Sequence, residues 1–318
     1  MIFSKRCLIC GYKFQEREQM HYDYPLCPIC NDDTLIKLLH NLVNEAEKRS
    51  RAVPFIACEA DPLFSFLADL GMFATTHPFL KTVKEVMVAL PREYIRIKKK
   101  RFPFRELQKY LPQSRPSKRI KRLRQIIEFF FDVGFIKYRA TIDGYKVPFI
   151  DEDSILFKVF ITTEHETKLQ RASSMVFGYS LLKGIIISIE WIRKEKLKEE
   201  PTGERRGILR LYPERKDKKL MILKEVTAPI MFFLFVWANN IKEFSEFELK
   251  SFLAFRGISG EKANAIRNWL KSLIPGAHHK MIEKYREEYI GESMYTRFYF
   301  NPEYLRLRER FRERERLN

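Results

Sequence analysis

No uninterrupted apolar run of the sequence is long enough to suggest a helix that crosses a membrane. A spanning helix needs about 20 predominantly apolar residues, and the strongest apolar runs, Val226 to Ala238 and Gly184 to Ile189, are shorter. The first residues, Met1 to Cys7, also lack the apolar core of a signal peptide. From these two absences we expect a cytoplasmic protein without a membrane partner.

The motifs of the common enzyme classes are missing as well. The chain has no Gly-rich phosphate loop, no nucleophile elbow and no His-Glu-x-x-His helix. The acid cluster Asp151-Glu152-Asp153 resembles a metal site, but consecutive carboxylates at a strand end point in different directions, which favours a polar turn. We therefore expect a protein without catalytic activity, and a metal-dependent nuclease is the alternative.

Cysteine is scarce, and its placement is informative. Only five cysteines occur in the chain, and four of them form two Cys-x-x-Cys pairs: Cys7, Cys10, Cys27 and Cys30. The intervening residues, 11 to 26, can fold back as a hairpin, so that four thiolates surround one metal ion as a tetrahedron. Gly11 and Asn31 directly follow the pairs, and both residue types favour the positive φ that turns backbone N–H groups towards the sulfurs. This pattern predicts a zinc ribbon with one structural Zn²⁺.

Two other chemistries could use the same four cysteines. Disulfides need an oxidising compartment, which the missing signal peptide disfavours, and Cys58 is the only further cysteine. Iron is the second alternative, because the runs Cys7 to Tyr12 and Leu26 to Cys30 resemble the knuckles of rubredoxin.

Acidic residues are few for the number of basic ones. The chain has 41 Asp and Glu against 59 Lys and Arg, a formal net charge of +18. An excess of this size indicates a polyanionic partner, usually nucleic acid. Adaptation to heat would explain many charges, but not an excess of one sign. The excess is also uneven, because fourteen Lys and Arg but only two Glu lie between Arg92 and Arg124.

This basic stretch lies within a specific order of elements. Hydrophobic periodicity and turn residues predict a helix, a short strand, two helices and a hairpin: Phe79 to Leu90, Tyr94 to Ile97, Pro103 to Leu111, Ser117 to Asp132, and Phe135 to Thr141 with Tyr145 to Ile150. Helix, strand, helix, helix, hairpin is the order of a winged helix-turn-helix.

A similar order appears near the end of the chain. It comprises a helix, a short strand, a helix opened by a capping box, a third helix and two strands: Ala228 to Asn239, Lys242 to Phe244, a helix from Ser245-Glu246-Phe247-Glu248 to Gly257, Ser259 to Leu273, Met281 to Ile290 and Met294 to Phe300. The long helix Glu164 to Glu199 and a hairpin within residues 208–224 separate the two regions.

The fold class expected from these elements is α+β, mostly α, with an N-terminal zinc ribbon followed by two winged-helix domains joined by a long helical segment. The expected segments are a zinc ribbon (1–33), a helical connector (34–77), a first winged-helix domain (78–150), a long helix and hairpin (151–225), a second winged-helix domain (226–302) and a charged C-terminal helix (303–318).

The helix that begins near Ser117 is the expected recognition helix. In a helix-turn-helix the N-terminal half of this helix faces the duplex. Its cations can neutralise phosphates or pair with guanine, and a glutamine can pair with adenine. The candidate nucleic-acid-binding residues are Lys98, Lys99, Lys100, Arg101, Arg115, Lys118, Arg119, Lys121, Arg122, Arg124 and Gln125. The alternative is a solvated basic face without a ligand.

The cysteine pairs and the winged-helix order together resemble archaeal-type basal transcription or replication factors and regulators, in which an N-terminal zinc ribbon precedes winged-helix domains. The resemblance implies a double-stranded DNA-binding protein of transcription or replication. The alternatives are a scaffold whose winged helices dock on a polymerase or replisome, and an RNA-binding protein. The arginine-rich tail Tyr304 to Asn318 is expected to be a charged helix, with a homodimer arm as one use.

Overall fold

The computed structural model describes most of the chain. The described residues are 4–7, 9, 13–15, 26–52, 61–75, 78–99, 101–140, 146–152, 154–162, 166–199, 227–239, 241–254, 264, 281–291 and 293–317. These residues are mostly helical and carry small antiparallel sheets, so the α+β, mostly α expectation is confirmed.

Helices and strands follow one another in this order: β1 (Ser4–Arg6), β2 (Lys13–Gln15), α1 (Asp33–Ala52), α2 (Pro62–Thr75), α3 (Pro78–Arg96), α4 (Phe104–Leu107) with a 3-10 turn (Gln108–Tyr110), α5 (Pro116–Asp132), β3 (Ile136–Ala140), β4 (Lys146–Ile150), α6 (Ile155–Thr162), α7 (Glu166–Glu199), α8 (Thr227–Ala238), β5 (Glu243–Ser245), α9 (Glu246–Ala254), β6 (Ile282–Ile290), β7 (Ser293–Phe300) and α10 (Pro302–Leu317).

The chain divides into two compact units. The central unit comprises residues 43–184, and the terminal unit comprises residues 1–42 together with 185–318. The boundaries fall inside α1 and α7. The finer division into six segments stays a prediction.

In the terminal unit, β1 and β2 form an antiparallel hairpin with Arg6 opposite Lys13. The six residues 7–12 therefore join the two strands. Helix α1 begins where the sequence predicts, because Asp32 Oδ1 accepts a hydrogen bond from the backbone N–H of Leu35 at 2.7 Å. This bond satisfies a donor that has no partner inside the helix.

The terminal unit also contains a three-stranded antiparallel sheet in the order β5–β7–β6. Its inner face carries Phe244, Phe298 and Phe300, which are buried. Phe232 and Phe233 of α8 pack edge-on against Phe244 and Phe300, at ring distances of 5.8 and 4.9 Å.

The predicted capping box before α9 is confirmed. The Ser245 backbone N–H donates to Glu248 Oε2 at 2.6 Å, and the Glu248 N–H donates to Ser245 Oγ at 3.2 Å. The two donors at the helix start are satisfied reciprocally. Except for Asn264, the predicted helix Ser259 to Leu273 lies outside the described residues, as does the predicted hairpin within 208–224.

In the central unit, one predicted strand is wrong. Residues 94–96 belong to α3, and the helical pattern continues because the Ile97 N–H donates to Glu93 O at 3.1 Å. The alternation from Tyr94 to Ile97 is too short to compete with the helical periodicity that begins at Phe79. The predicted hairpin is confirmed, since β3 and β4 pair antiparallel from Ile136 opposite Ile150.

Two glycines bring α2 and α7 into backbone contact within the central unit. A Cβ on Gly71 would lie 2.0 Å from the Ser174 carbonyl oxygen, and a Cβ on Gly178 would lie 2.0 Å from the Leu67 carbonyl oxygen. No other residue type fits either position. Helix α7 is buried at almost every residue from Ala172 onwards in this unit.

Among the described residues, one helix is long and apolar enough to cross a membrane. This segment is Lys168–Glu190, and 83% of its apolar window is buried. A mostly buried core helix of a soluble protein passes the same test. The expectation of a protein without a membrane partner therefore stays a prediction.

Candidate nucleic-acid interface and metal centre

Helix α5 carries the candidate nucleic-acid interface. Pro116 occupies its first turn, where a missing N–H costs nothing. The helix ends at Gly134, whose φ of 83° is available to glycine without a steric penalty. The Phe135 N–H donates to Phe130 O at 2.7 Å, which closes the helix end.

The two halves of α5 differ in exposure. The C-terminal half is packed into the central unit, with Leu123, Ile126 and Phe130 fully buried. The N-terminal half bears five exposed cations and one partly exposed cation: Arg115 (the residue just before the helix), Lys118, Lys121, Arg122, Arg124 and, partly exposed, Arg119. This is the half that a recognition helix presents to a duplex.

Gln125 departs from the prediction. Its exposed fraction is only 7%, so its amide does not lie on the open face where a base edge could be reached. The reason is tertiary, because Gln125 lies in the part of α5 where Leu123, Ile126 and Ile127 are also buried. Gln125 is therefore removed from the interface.

The six cations of α5 form no ion pair with any carboxylate in the described part of the chain. Arg122 instead lies 5.8 Å from the centre of the Phe79 ring, a cation–π distance that fixes the guanidinium without neutralising it. The Nε of Arg119 is buried without a hydrogen-bond partner in the described structure. The charge of this helix is thus left available to an anion.

The basic run Lys98-Lys99-Lys100-Arg101 behaves differently. Lys99 forms an ion pair with Glu152, and Arg101 forms one with Glu106 at 2.7 Å. Lys98 is exposed and forms no ion pair within the described residues, and Lys100 lies outside them. Two of the three described cations of this predicted phosphate-binding run are therefore already paired.

The backbone at the start of this run is unusual. Lys98 and Lys99 have φ values of 56° and 58°, in the left-handed region that costs a residue with a Cβ about 1 kcal/mol. The conformation terminates α3, because the N–H of Lys99 donates to Tyr94 O at 3.0 Å and that of Lys98 to Ile95 O at 2.7 Å. These bonds form the helix-ending motif that glycine usually completes.

A buried carboxylate, which the sequence analysis missed, organises the segment before α5. Glu93 accepts hydrogen bonds from Arg96 at 2.6 Å, from Lys109 at 2.5 Å and from Tyr110 at 3.1 Å. Burial raises the pKa of Glu93, but these three donors outweigh that effect and the net pKa is lowered. Two more cations of the basic stretch, Arg96 and Lys109, are therefore paired, and the contacts of Lys109 and Tyr110 connect α3 to the turn after α4.

Two carboxylates of the acid cluster 151–153 form ion pairs with lysines. Asp151 pairs with Lys137 at 2.6 Å, and Glu152 pairs with Lys99. Asp153 lies outside the described residues. Within those residues, the only group of His, Cys, Asp and Glu side chains close enough to hold a metal ion is the cysteine cluster.

That cluster consists of Cys7, Cys27 and Cys30. Cys7 directly follows β1, and the turn 27–31 is closed by the Asn31 N–H, which donates to Cys27 O at 3.0 Å. The three Sγ atoms lie within 4.8 Å of one another, and the three side chains are fully buried. Tetrahedral Zn–S bonds of about 2.3 Å would place sulfurs about 3.8 Å apart, so the three positions can hold a metal ion. Cys10 lies outside the described residues.

Asn31 does not take the positive φ that the sequence analysis expects. Lys98 and Lys99 are the only non-glycine residues with positive φ in the described part of the chain. The side chain of Asn31 is used instead, because its Oδ1 accepts a hydrogen bond from Arg193 at 2.7 Å.

The sheet of the terminal unit presents a different surface. Arg297 of β7 pairs with Glu243 at 3.1 Å and with Glu288 at 2.9 Å, so its charge is neutralised across the strands. The large apolar side chains exposed in this region are Phe247 (55%), Tyr289 (75%) and Met294 (43%).

No protein-family model matches the sequence, and no curated protein or solved structure is similar to it.

Proposed function

We propose that the protein binds double-stranded DNA through the N-terminal half of α5 and acts in transcription or replication. One observation carries the proposal. The six cations of this half have no carboxylate partner among the described residues, whereas the neighbouring cations Lys99, Arg101 and Lys109 do. Because nucleic-acid affinity arises largely from phosphate neutralisation, the cations left unpaired are the ones that can supply it.

The element order supports a winged-helix framework for this surface. Helices α3, α4 and α5 are followed by the hairpin β3–β4, which would be the wing. In residues 227–300 the strand before α9 pairs with the last strand of the sheet, in the order β5–β7–β6. This order supports a second winged-helix domain in the terminal unit.

The cysteine cluster supports a zinc ribbon with Cys10 as the fourth ligand. Four thiolates with no open position would suit a structural zinc ion, which stabilises the fold and performs no reaction. The site would therefore hold the two knuckles together, and nucleic-acid contact would remain with α5.

A second function, protein docking, is favoured by one observation. The exposed side chains Phe247, Tyr289 and Met294 lie in the terminal unit, where Arg297 is neutralised by Glu243 and Glu288. Exposed apolar side chains are more typical of protein contacts than of phosphate contacts. On this alternative the second region would dock on a polymerase or replisome.

The proposal is tested with the variant K118A/K121A/R124A. These side chains are exposed and unpaired, so we expect weaker binding to a DNA duplex and a slope of log affinity against log salt that falls by about 0.9 per lost phosphate contact. The matched control is K81A/R306A/R310A, which removes the same charge from exposed positions on α3 and α10.

Fluorescence anisotropy across a salt series, with duplex DNA, single-stranded DNA and duplex RNA, measures both quantities. Equal affinity and slope for the two triple variants would contradict the proposal. Tighter binding of RNA than of DNA, lost in the α5 variant alone, would reassign the same surface to RNA.

A further inference from the structure

The residue that directly follows Cys30 is bound by a distant arginine of the terminal unit. Arg193, on α7, donates from Nη2 to Asn31 Oδ1 at 2.7 Å and to Asn31 O at 3.2 Å, and from Nε to Asn31 Oδ1 at 3.2 Å. The same Nη2 lies 3.0 Å from Asp33 Oδ1. A guanidinium thus bridges the turn of the second cysteine pair and the first turn of α1.

These contacts use both acceptors of Asn31. Its backbone N–H donates to Cys27 O and closes the turn, while its carbonyl and its side-chain oxygen both accept from Arg193. The turn that carries Cys27 and Cys30 is therefore fixed at its C-terminal end by a side chain from outside the ribbon. Fixing the backbone there also fixes the directions in which the two Sγ atoms project.

A second contact acts on the next residue. Asn239, just after α8, donates from Nδ2 to Asp32 Oδ1 at 3.4 Å, and the same Oδ1 caps α1 through the Leu35 N–H. The junction between the cysteine turn and α1 is thus held from both α7 and the end of α8. If the contacts of Arg193 only attached α7 to α1, they would need no hydrogen bond to the Cys27–Cys30 turn.

The charge of Arg193 also suits a metal–thiolate centre. Zn²⁺ with four thiolates carries a net charge of −2, and binding requires the thiols to be deprotonated. The Arg193 guanidinium divides its positive charge between Asp33, at 3.0 Å, and the residue that follows a ligand. Hydrogen bonds around metal ligands typically change metal affinity by about 10- to 100-fold.

We propose that Arg193 is a positioning residue of the metal centre. It holds Asn31, and through it the Cys27–Cys30 turn, in the geometry that binds the ion, so that metal affinity depends on a residue of α7 that is not a ligand. The inference rests on the zinc ribbon proposed above.

The test compares R193Q with R306Q in the full chain. Arg306 is an exposed residue of α10 without an ion pair in the described structure, so R306Q removes the same charge from the same unit. Competition between the protein and a chromogenic chelator for Zn²⁺ measures affinity. We expect about 10- to 100-fold weaker binding in R193Q and no change in R306Q.

Loading the protein with Co²⁺ gives an absorption spectrum that should not change if Arg193 only stabilises the fold. The visible absorption of Co²⁺ reports the tetrahedral thiolate geometry, so we expect an altered spectrum in R193Q and partial recovery in R193K. The variant N31A removes the acceptor, and combining N31A with R193Q should cost less than the sum of the two single changes.

The outcomes separate the inference from its premise. If the unaltered protein binds no Zn²⁺, the zinc ribbon itself is wrong. If the unaltered protein binds one Zn²⁺ and R193Q matches R306Q in affinity and spectrum, the role of Arg193 is overturned and the ribbon stands. If R193Q does not fold even with Zn²⁺, the variant N31A provides the test instead. An unchanged Zn²⁺ affinity in N31A would overturn the inference.

Discussion

Residues 78–150 and residues 227–300 share a predicted order of elements but differ in the surfaces that their described residues present. In the first region, α5 exposes cations that no carboxylate neutralises within the described residues. In the second region, Arg297 is held between Glu243 and Glu288, and the prominent exposed side chains are apolar. On the proposed function, the ligand of each region would follow from the pairing of charge on its surface and not from the order of its helices and strands.

The two regions also differ in their sheets. The first has only the hairpin β3–β4, because residues 94–96 stay in α3 and leave no strand before α4. The second has a third strand, β5, which pairs with β7. Because α3 continues as a helix to Arg96, Glu93 accepts hydrogen bonds from both Arg96 and Lys109. The continued helix therefore accounts both for the predicted strand that is not formed and for the partial neutralisation of the basic stretch.

The largest expected effect comes from a substitution that disrupts the contact between α2 and α7 in the central unit, which contains the first region. In the variant G178A, the new Cβ would lie 2.0 Å from the Leu67 carbonyl oxygen, so α2 and α7 must separate. We expect the free energy of unfolding of the central unit to fall by about 3 kcal/mol. Chemical denaturation followed by circular dichroism measures this change.

The matched control for that experiment is G134A. A Cβ on Gly134 meets no atom within 4 Å, but φ is 83°, so the cost is conformational and about 1 kcal/mol. A smaller loss in G178A than in G134A would contradict the close approach of the two helices.

A partly buried cation of the first region, Lys84, gives the next effect. Lys84 of α3 donates to Ser174 Oγ at 2.6 Å and forms no ion pair within the described chain, in contrast to Arg297 in the second region. Burial lowers the pKa of Lys84 to about 8 from 10.5. The folded state therefore disfavours the protonated form, and stability should rise as the pH increases from about 8 to about 10.5.

The variant K84M removes this penalty. We expect a gain of about 2 kcal/mol in the free energy of unfolding at pH 7, which shrinks as the pH rises from about 8 to about 10.5. Urea denaturation of both proteins at several pH values measures the difference. A gain that stayed constant across this range would show that the effect is one of packing and not of protonation.

The smallest expected effect concerns the second region. In the variant F247A/Y289A, two exposed apolar side chains are removed and no charge changes, so we expect duplex DNA affinity to stay within about twofold. Anisotropy under the same salt conditions measures it. A loss of DNA affinity as large as that of K118A/K121A/R124A would contradict this expectation, because it would show that the second region also contacts nucleic acid.

Local sequence rules predicted the local features of the fold. The Asp32 cap of α1, the Ser245–Glu248 capping box, the span of α5 and the hairpin after it all follow from residues within a few positions of one another. The wrong strand at Tyr94 to Ile97 is also local, since four alternating residues cannot outweigh the helix that they continue.

The features that sequence reasoning missed depend on residues far apart. Gln125 is buried by packing around the C-terminal half of α5, and the partner of Lys99 lies 53 positions away. The use of Asn31 depends on Arg193, 162 positions away. No periodicity or spacing rule connects such positions, so the distribution of neutralised charge becomes visible only in the folded chain.

The separation of Asn31 and Arg193 has a consequence for synthesis of the chain. A ribosome adds about 5 to 20 residues per second, so the cysteine turn emerges roughly 10 to 30 seconds before the arginine that holds it. During that interval Cys27 and Cys30 are present without the arginine that binds their turn. If the proposed ribbon binds its ion during synthesis, it does so before α7 is complete, and the terminal unit is completed only after the whole central unit has been made.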